Sequence, residues 1–232
     1  MKSGRGAAVS REPLRPSETW TLHGVPCTRP VRALFDEMRS LPDHRTAAVA
    51  MDMAAAARLV AVWQMADHWR EHSRWRRAQQ VGRALPLADE RSRSPAESRL
   101  RLVWVLDAAL PPPLCNRPVF DLAGRHLGTP DLLDPEAGVV GEYDGAVHLS
   151  VRRRAIDAAR QGRFRNAGLE YFEVLAPDMH DRDLVVERML SARTRALETR
   201  RIRNWTTDPP DDWQTEPTYG EELLWRRSLH EL

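Results

Sequence analysis

The sequence predicts a mixed α+β protein, with a helical N-terminal region followed by a helix, three strands, a second helix and a further strand. Three observations carry this reading. Residues 44–72 are rich in Ala and Met and favour helix by propensity. Residues 129–133 and 139–143 are short apolar runs separated by the turn residues Asp134, Pro135 and Gly138, the pattern of a β-hairpin. A nearly all-apolar helix from Pro95 and an arginine-rich helix from Ser150 bracket that hairpin, and another strand-like run follows at 170–175. With 232 residues, 42% of them hydrophobic, the chain has material for one large or two small domains with a packed core.

Taken in order, residues 1–19 are rich in Gly, Ser, Arg and Pro, and disorder is expected there. Residues 20–90 read as a helical domain. Its first piece, residues 21–28, is a short strand and turn. Pro30 then opens a helix at its first position, with Val31, Leu34, Phe35, Met38 and Leu41 on one face. Two helices are expected over 44–72, broken near Ala57 or Arg58, with Trp63 and Trp69 anchoring the second. Ser73 is expected to cap the next helix, which carries Trp75, Ala78, Val81 and Leu85. The charged, small residues 88–94 mark a domain boundary.

A second domain is expected over 94–203. Ser94, Pro95 and Glu97 have the form of a helix start: N-cap, first helical position and capping-box acid. The helix runs to Ala109 and is ended by Pro111, Pro112 and Pro113. Residues 117–122 form a strand that joins the hairpin in a three-stranded meander. Residues 150–167 form the arginine-rich helix, with Gly168 just beyond its end, and 170–175 a strand parallel to its neighbour after the helical crossover. A closing helix is expected from Asp181 to about Arg203. Residues 204–232 form an extension with Trp205, Trp213 and Trp225, read as packing back on the body or binding a partner.

The chemistry concentrates in the hairpin. Its turn is centred near residue 136 or 137, so Asp131 and Glu142 lie opposite each other in an antiparallel pairing, and Asp144 shares the face of Glu142. Three carboxylates on one face of an apolar hairpin either remain solvated or hold a hard divalent cation such as Mg²⁺. Net charge is only +2, which does not declare a nucleic-acid binder, yet Lys2 is the single lysine among the 35 basic residues. Apart from Lys2, every basic side chain is therefore an arginine or a histidine. Cys27 and Cys115 lack CxxC spacing and read as reduced thiols rather than zinc ligands. No apolar signal region or membrane span is visible, so a cytoplasmic protein is expected.

These residues resemble a known family. Pro130-Asp131, a spacer, then Glu142-x-Asp144 is similar to the PD-(D/E)xK nuclease signature. The wider pattern of Glu97, the hairpin, Glu142-Tyr-Asp-Gly145, His148, the arginine helix and Asn166-Ala-Gly-Leu169 resembles the DUF559-type domains of actinobacteria. Those domains are relatives of very-short-patch-repair endonucleases and often form the C-terminal part of AbiEi-like antitoxins. Thr28, Pro30, Arg32, Leu34 and Asp36 also match a segment of the antitoxin-like proteins, in which a winged helix usually comes first; too few residues precede it here for one.

The resemblance implies a restriction-endonuclease-like αβββαβ core and a metal-dependent DNA endonuclease or nickase. It implies Mg²⁺ or Mn²⁺ on Asp131, Glu142 and Asp144, with Glu97 reaching the metal as well as, or instead of, capping its helix. His148 is a general acid or base, and Arg153, Arg160 and Arg163 are phosphate contacts. The family lysine is replaced by Asp144. The alternatives are a non-catalytic antitoxin-like or DNA-binding regulator, with a toxin as protein partner, or a nuclease-fold subunit of a larger defence complex.

Overall fold

The computed structural model describes residues 3–4, 7–8, 12–145, 151–199 and 202–230, with side chains from residue 12 onward except in 151–157 and at 230. The architecture is mixed α+β, eight α-helices with several small sheets among the described residues. The start is more ordered than expected. Strand β1 (Ser3–Gly4) pairs with β2 (Ala7–Ala8), a 3-10 turn forms over Pro16–Glu18, and Glu18 is buried. The reason is charge: Arg32 pairs with Glu18 at 3.0 Å, and Arg39 with Glu12 at 3.4 Å.

The hairpin β3 (Thr19–Leu22) and β4 (Val25–Thr28) turns at His23 and Gly24, both with positive φ, the backbone that a tight two-residue hairpin turn requires. Helix α1 (Pro30–Ser40) starts on its proline. α2 (His44–Ala56) and α3 (Val62–His72) are separated at Arg58, whose φ is 57°. α4 (Ala78–Ala84) begins later than expected: Ser73 lies in the turn after α3, and Arg77 (φ 62°) takes the capping position. Arg77 is fixed there by donating to the Ser40 and Leu41 carbonyls. Phe35, Met38, Met51, Met65 and Val81 form the core of these helices.

Ser94 caps α5 (Pro95–Leu102), accepting from Glu97 N–H at 3.2 Å. The chain then widens into a π-turn over Val103–Asp107 instead of continuing as α-helix to Ala109. α5 and the π-turn after it lie between two cores. Leu102 belongs to the helical core, while Leu100, Val103 and Trp104 pack on the sheet.

The main sheet has the order β10–β9–β8–β5, formed by β5 (Leu114–Cys115), β8 (Leu132–Asp134), β9 (Val139–Asp144) and β10 (Glu170–Leu175). The expected meander does not form. β6 (Val119–Asp121) pairs with β7 (His126–Gly128) and with β11 (Trp205–Thr206) in a separate sheet. β5, to which the sequence reading gave no assignment, lies beside β8 instead. Two residues are too few to show a periodic signal, and the Asn116 backbone (φ 45°) turns the chain away before β6 begins.

Alternation along the strands divides two cores. Leu132, Val139 and Phe172 face α5 and α7 (Arg182–Thr199). Leu133, Val140 and Tyr171 face α6 (Val151–Asn166), through Phe164, and Trp205. α6 ends at Gly168 (φ 93°), and β10 then returns parallel to β9. The described tail residues lie against the body. Trp213 packs edge-on against Phe120 and tilted against His126, and α8 (Tyr219–His230) is held where Glu90 accepts from Gly220 N–H at 2.7 Å. No helix among the described residues is long and apolar enough to cross a membrane.

Gly141 is a packing requirement. A Cβ there would lie 2.2 Å from the Phe172 ring, which is buried and stacked on Trp104. Gly141→Ala is expected to destabilise by about 1–3 kcal/mol through overpacking. Gly162→Ala, in α6 with open space around it, is expected to stabilise by up to about 1 kcal/mol. Chemical denaturation of both variants checks the pair.

Candidate functional site

The site is built by register. β8 pairs with β9 as Leu132↔Gly141, Leu133↔Val140 and Asp134↔Val139. One step further along the same register, Asp131 comes opposite Glu142. The Asp131 carboxylate accepts the Tyr143 N–H at 2.7 Å, which ties the two strands together at this point. Glu142 and Asp144 alternate with Tyr143 and so share the sheet face that α6 covers. The parallel pairing adds a residue that the sequence reading missed: Glu173 of β10 sits beside Glu142. Its signal was the strand at 170–175, but only the register reveals which of its residues meets Glu142.

Glu97 approaches from the first turn of α5. It does not close the expected capping box onto Ser94. Its carboxylate instead accepts from Arg93 N–H at 2.9 Å and from Asn116 Nδ2 at 2.8 Å. Asn116 in turn donates its backbone N–H to the Asp131 carbonyl at 3.2 Å. It therefore links Glu97 to the strand that carries Asp131, a role no motif announced.

Glu142 is 5% exposed. One of its oxygens, Oε2, pairs with the Arg160 guanidinium and accepts the Tyr171 hydroxyl at 3.1 Å. The other, Oε1, is buried with no hydrogen-bond partner among the described residues. Burial pushes the Glu142 carboxyl up to about 7, with the Arg160 charge opposing and Asp131 adding to the rise. Burial likewise pushes Asp131 up to about 6, partly opposed by the Tyr143 N–H and reinforced by Glu97. Burial and the neighbouring acids also raise the Tyr171 hydroxyl, keeping it a neutral donor.

The structure thus brings together Asp131, Glu142 and Glu97, with Asp144 further along the same face of β9. Arg160 is present, but it meets Glu142 rather than facing outward. Arg163 donates its Nε–H to the Leu127 carbonyl at 2.9 Å, bracing α6 against β7. Arg153 lies on α6, with its side chain outside the description, and His148 lies outside the described residues. A second group of possible metal donors lies elsewhere: Glu18, His68 and His72 form a buried cluster able to hold a metal ion. Its sequence signal was two histidines four residues apart on a helix, a spacing that puts both on one face. Comparison with family models, with curated proteins and with solved structures found no match.

Both acids bind protons more tightly folded than unfolded. Their contribution to stability is therefore full below about pH 4 and is lost as pH rises through 6 to 7. Asp131→Asn combined with Glu142→Gln removes this cost. In the presence of chelator, the stability gain of that variant over wild type is expected to be larger at pH 8 than at pH 5. Thermal melts of both proteins across that range measure the difference.

Proposed function

We propose that the chain is a metal-dependent phosphodiester hydrolase that cuts or nicks DNA, built on a restriction-endonuclease-like core. One observation carries the reading: half-buried Asp131 is held beside buried Glu142, and Glu142 Oε1 has no hydrogen-bond partner among the described residues. Buried carboxylates that repel one another and leave an oxygen unsatisfied are costly unless a proton or a cation joins them. The order α5, strands, hairpin, α6 and parallel β10 supports the same reading.

The donor set fits a hard ion. Asp131 and Glu142 would hold Mg²⁺ or Mn²⁺, with Asp144 contributing to the same acidic face. When bound, such an ion polarises a phosphate and lowers the pKa of a water. The protein's own groups do the rest. Tyr143 N–H holds the Asp131 carboxylate in place. Tyr171 and Arg160 fix the orientation of Glu142. Asn116 holds Glu97 at the edge of the site. Arg160, with Arg153 on the same helix, supplies the positive charge that the absent lysine would otherwise give a phosphate. Asp144 positions the attacking water, and His148 gives or takes its proton.

A second reading rests on the Arg160–Glu142 ion pair. A guanidinium can neutralise this acid in place of a cation, which would leave a nuclease-like fold that binds DNA or a protein partner without cutting. Calorimetry with Mg²⁺ and Mn²⁺, paired with nicking of supercoiled DNA, separates the two. Metal-dependent nicking is expected for wild type, with a loss of more than about 100-fold in Asp131→Ala with Glu142→Ala, since even outer-shell changes cost up to that much. A folded wild type that neither binds either ion at millimolar concentration nor nicks DNA sinks the enzyme reading and leaves the regulator.

A further inference from the structure

His68 and His72 lie one turn apart on α3, and Glu18 from the N-terminal 3-10 turn meets both. Glu18 Oε1 is 3.5 Å from His72 Nε2 and 3.8 Å from His68 Nε2. The three donor atoms lie within 4.8 Å of one another. Their side chains are 8%, 1% and 10% exposed for Glu18, His72 and His68. None of the three atoms has a hydrogen-bond partner among the described residues.

The tautomer of His72 sharpens the problem. Its Nδ1 lies 2.9 Å from the His68 carbonyl. A carbonyl only accepts, so Nδ1 carries a proton, and Nε2 of the neutral ring presents a lone pair. That lone pair faces a carboxylate oxygen across a buried gap. The two repel unless a proton or a cation lies between them. A proton would make a charge-assisted bond, which closes to about 2.7–2.9 Å, well below the 3.5 Å observed. It would also leave His68 Nε2 unsatisfied. A divalent cation satisfies all three atoms. Tetrahedral zinc with ligands at about 2.0–2.1 Å spaces them about 3.3 Å apart, against 3.5 and 3.8 Å from Glu18 Oε1 to the two ring nitrogens.

The surroundings prepare these ligands. Glu18 Oε2 accepts from Arg15 N–H at 2.8 Å and from Arg32 at 3.0 Å, which turns Oε1 toward the histidines. The Arg32 charge is matched in turn by Asp36 at 2.8 Å. The His72 Nδ1–H bond to a backbone carbonyl is the usual outer contact of a metal-ligating histidine. Glu71, between the histidines in sequence, pairs outward with Arg15.

We propose that Glu18, His68 and His72 bind one divalent transition-metal ion of the zinc class, and that the ion fastens the N-terminal segment to α3. Two imidazoles and one carboxylate favour such an ion over Mg²⁺, which takes oxygen ligands. The site is separate from the acidic cluster in donor type and in place.

The test uses the full chain freed of metal by chelator, then titrated with Co²⁺ and Zn²⁺ in excess Mg²⁺. One Co²⁺ per chain is expected, with a visible absorption band that Zn²⁺ abolishes. Glu18→Gln and His72→Gln, each checked for native circular dichroism, are expected to weaken zinc binding about 100-fold or more. Asp131→Asn with Glu142→Gln is expected to leave it unchanged. Zinc is also expected to slow tryptic cleavage after Arg15. A folded wild type that takes up neither ion overturns the site. So does zinc binding that is indifferent to Glu18 and His72, or that is lost with the Asp131 and Glu142 changes. Zinc bound at these residues with cleavage after Arg15 unaltered overturns the fastening role.

Discussion

The position of α5 is fixed by a buried ion pair, and much of the molecule follows from it. Arg101 donates to Asp52 of α2 at 2.7 Å. Asp52 is fully buried and also accepts the Asp89 N–H at 2.7 Å. Arg101 reaches the Leu87 carbonyl as well. Burial pushes the Asp52 carboxyl up, and the guanidinium only partly offsets this. Such a pair adds little net stability over a well-packed apolar contact, but removing one partner leaves an uncompensated buried charge. Its effect is to set geometry. It locks the helical half, the segment at 87–89 and α5 in one arrangement. α5 then carries Glu97 to the edge of the acidic site, and the π-turn that follows it sends Trp104 into the sheet core.

The acidic site shows how a sheet can impose electrostatic strain. Register gives Asp131 and Glu142 no freedom to separate, because a slip of one residue would also turn Leu133 and Val140 out of their core. The apolar packing therefore holds two repelling carboxyls together. Tyr143 N–H, Tyr171 and Arg160 each relieve part of the strain, yet Glu142 Oε1 remains without a partner among the described residues. Two carboxyls raised to about 6 and about 7 lie near the pH at which proton transfer and cation binding compete. This is the region in which a site can respond to a small change in its surroundings.

Local chemistry made much of this legible in the sequence. Ser94 and Pro95 set the start of α5, Gly168 the end of α6, and Arg58 lies where the helical stretch breaks. The hairpin register could be counted from its turn residues, which is why the Asp131 and Glu142 juxtaposition was readable before any coordinates. Features set by distant partners were not readable. β5 is two residues long and exists only because β8 lies beside it. Arg160 looks like any exposed arginine of a basic helix until the sheet places Glu142 beneath it. Glu18 sits in a segment whose composition signals disorder; its burial depends on Arg32, fourteen residues on, and on α3, fifty residues on.

The two clusters share one physical plan. In each, a buried glutamate gives its Oε2 to an arginine and keeps Oε1 unsatisfied among the described residues: Glu142 with Arg160, Glu18 with Arg32. The arginine neutralises the acid without filling the space in front of the second oxygen. What faces that oxygen then decides the chemistry. At Glu142 the neighbour across the strands is another carboxyl, Asp131, and an oxygen-only set favours a hard cation. At Glu18 it is two imidazole nitrogens, and a mixed nitrogen and oxygen set favours a borderline ion held more firmly. The lone-pair conflict is also sharper at Glu18, because a neutral His72 ring cannot turn its proton toward the carboxylate while Nδ1 serves the His68 carbonyl. Two carboxyls can instead share a proton, as the raised values at Asp131 and Glu142 allow. A shared proton can therefore relieve the carboxyl pair in the sheet, whereas the cation proposed at Glu18 would relieve one oxygen and two ring nitrogens at once.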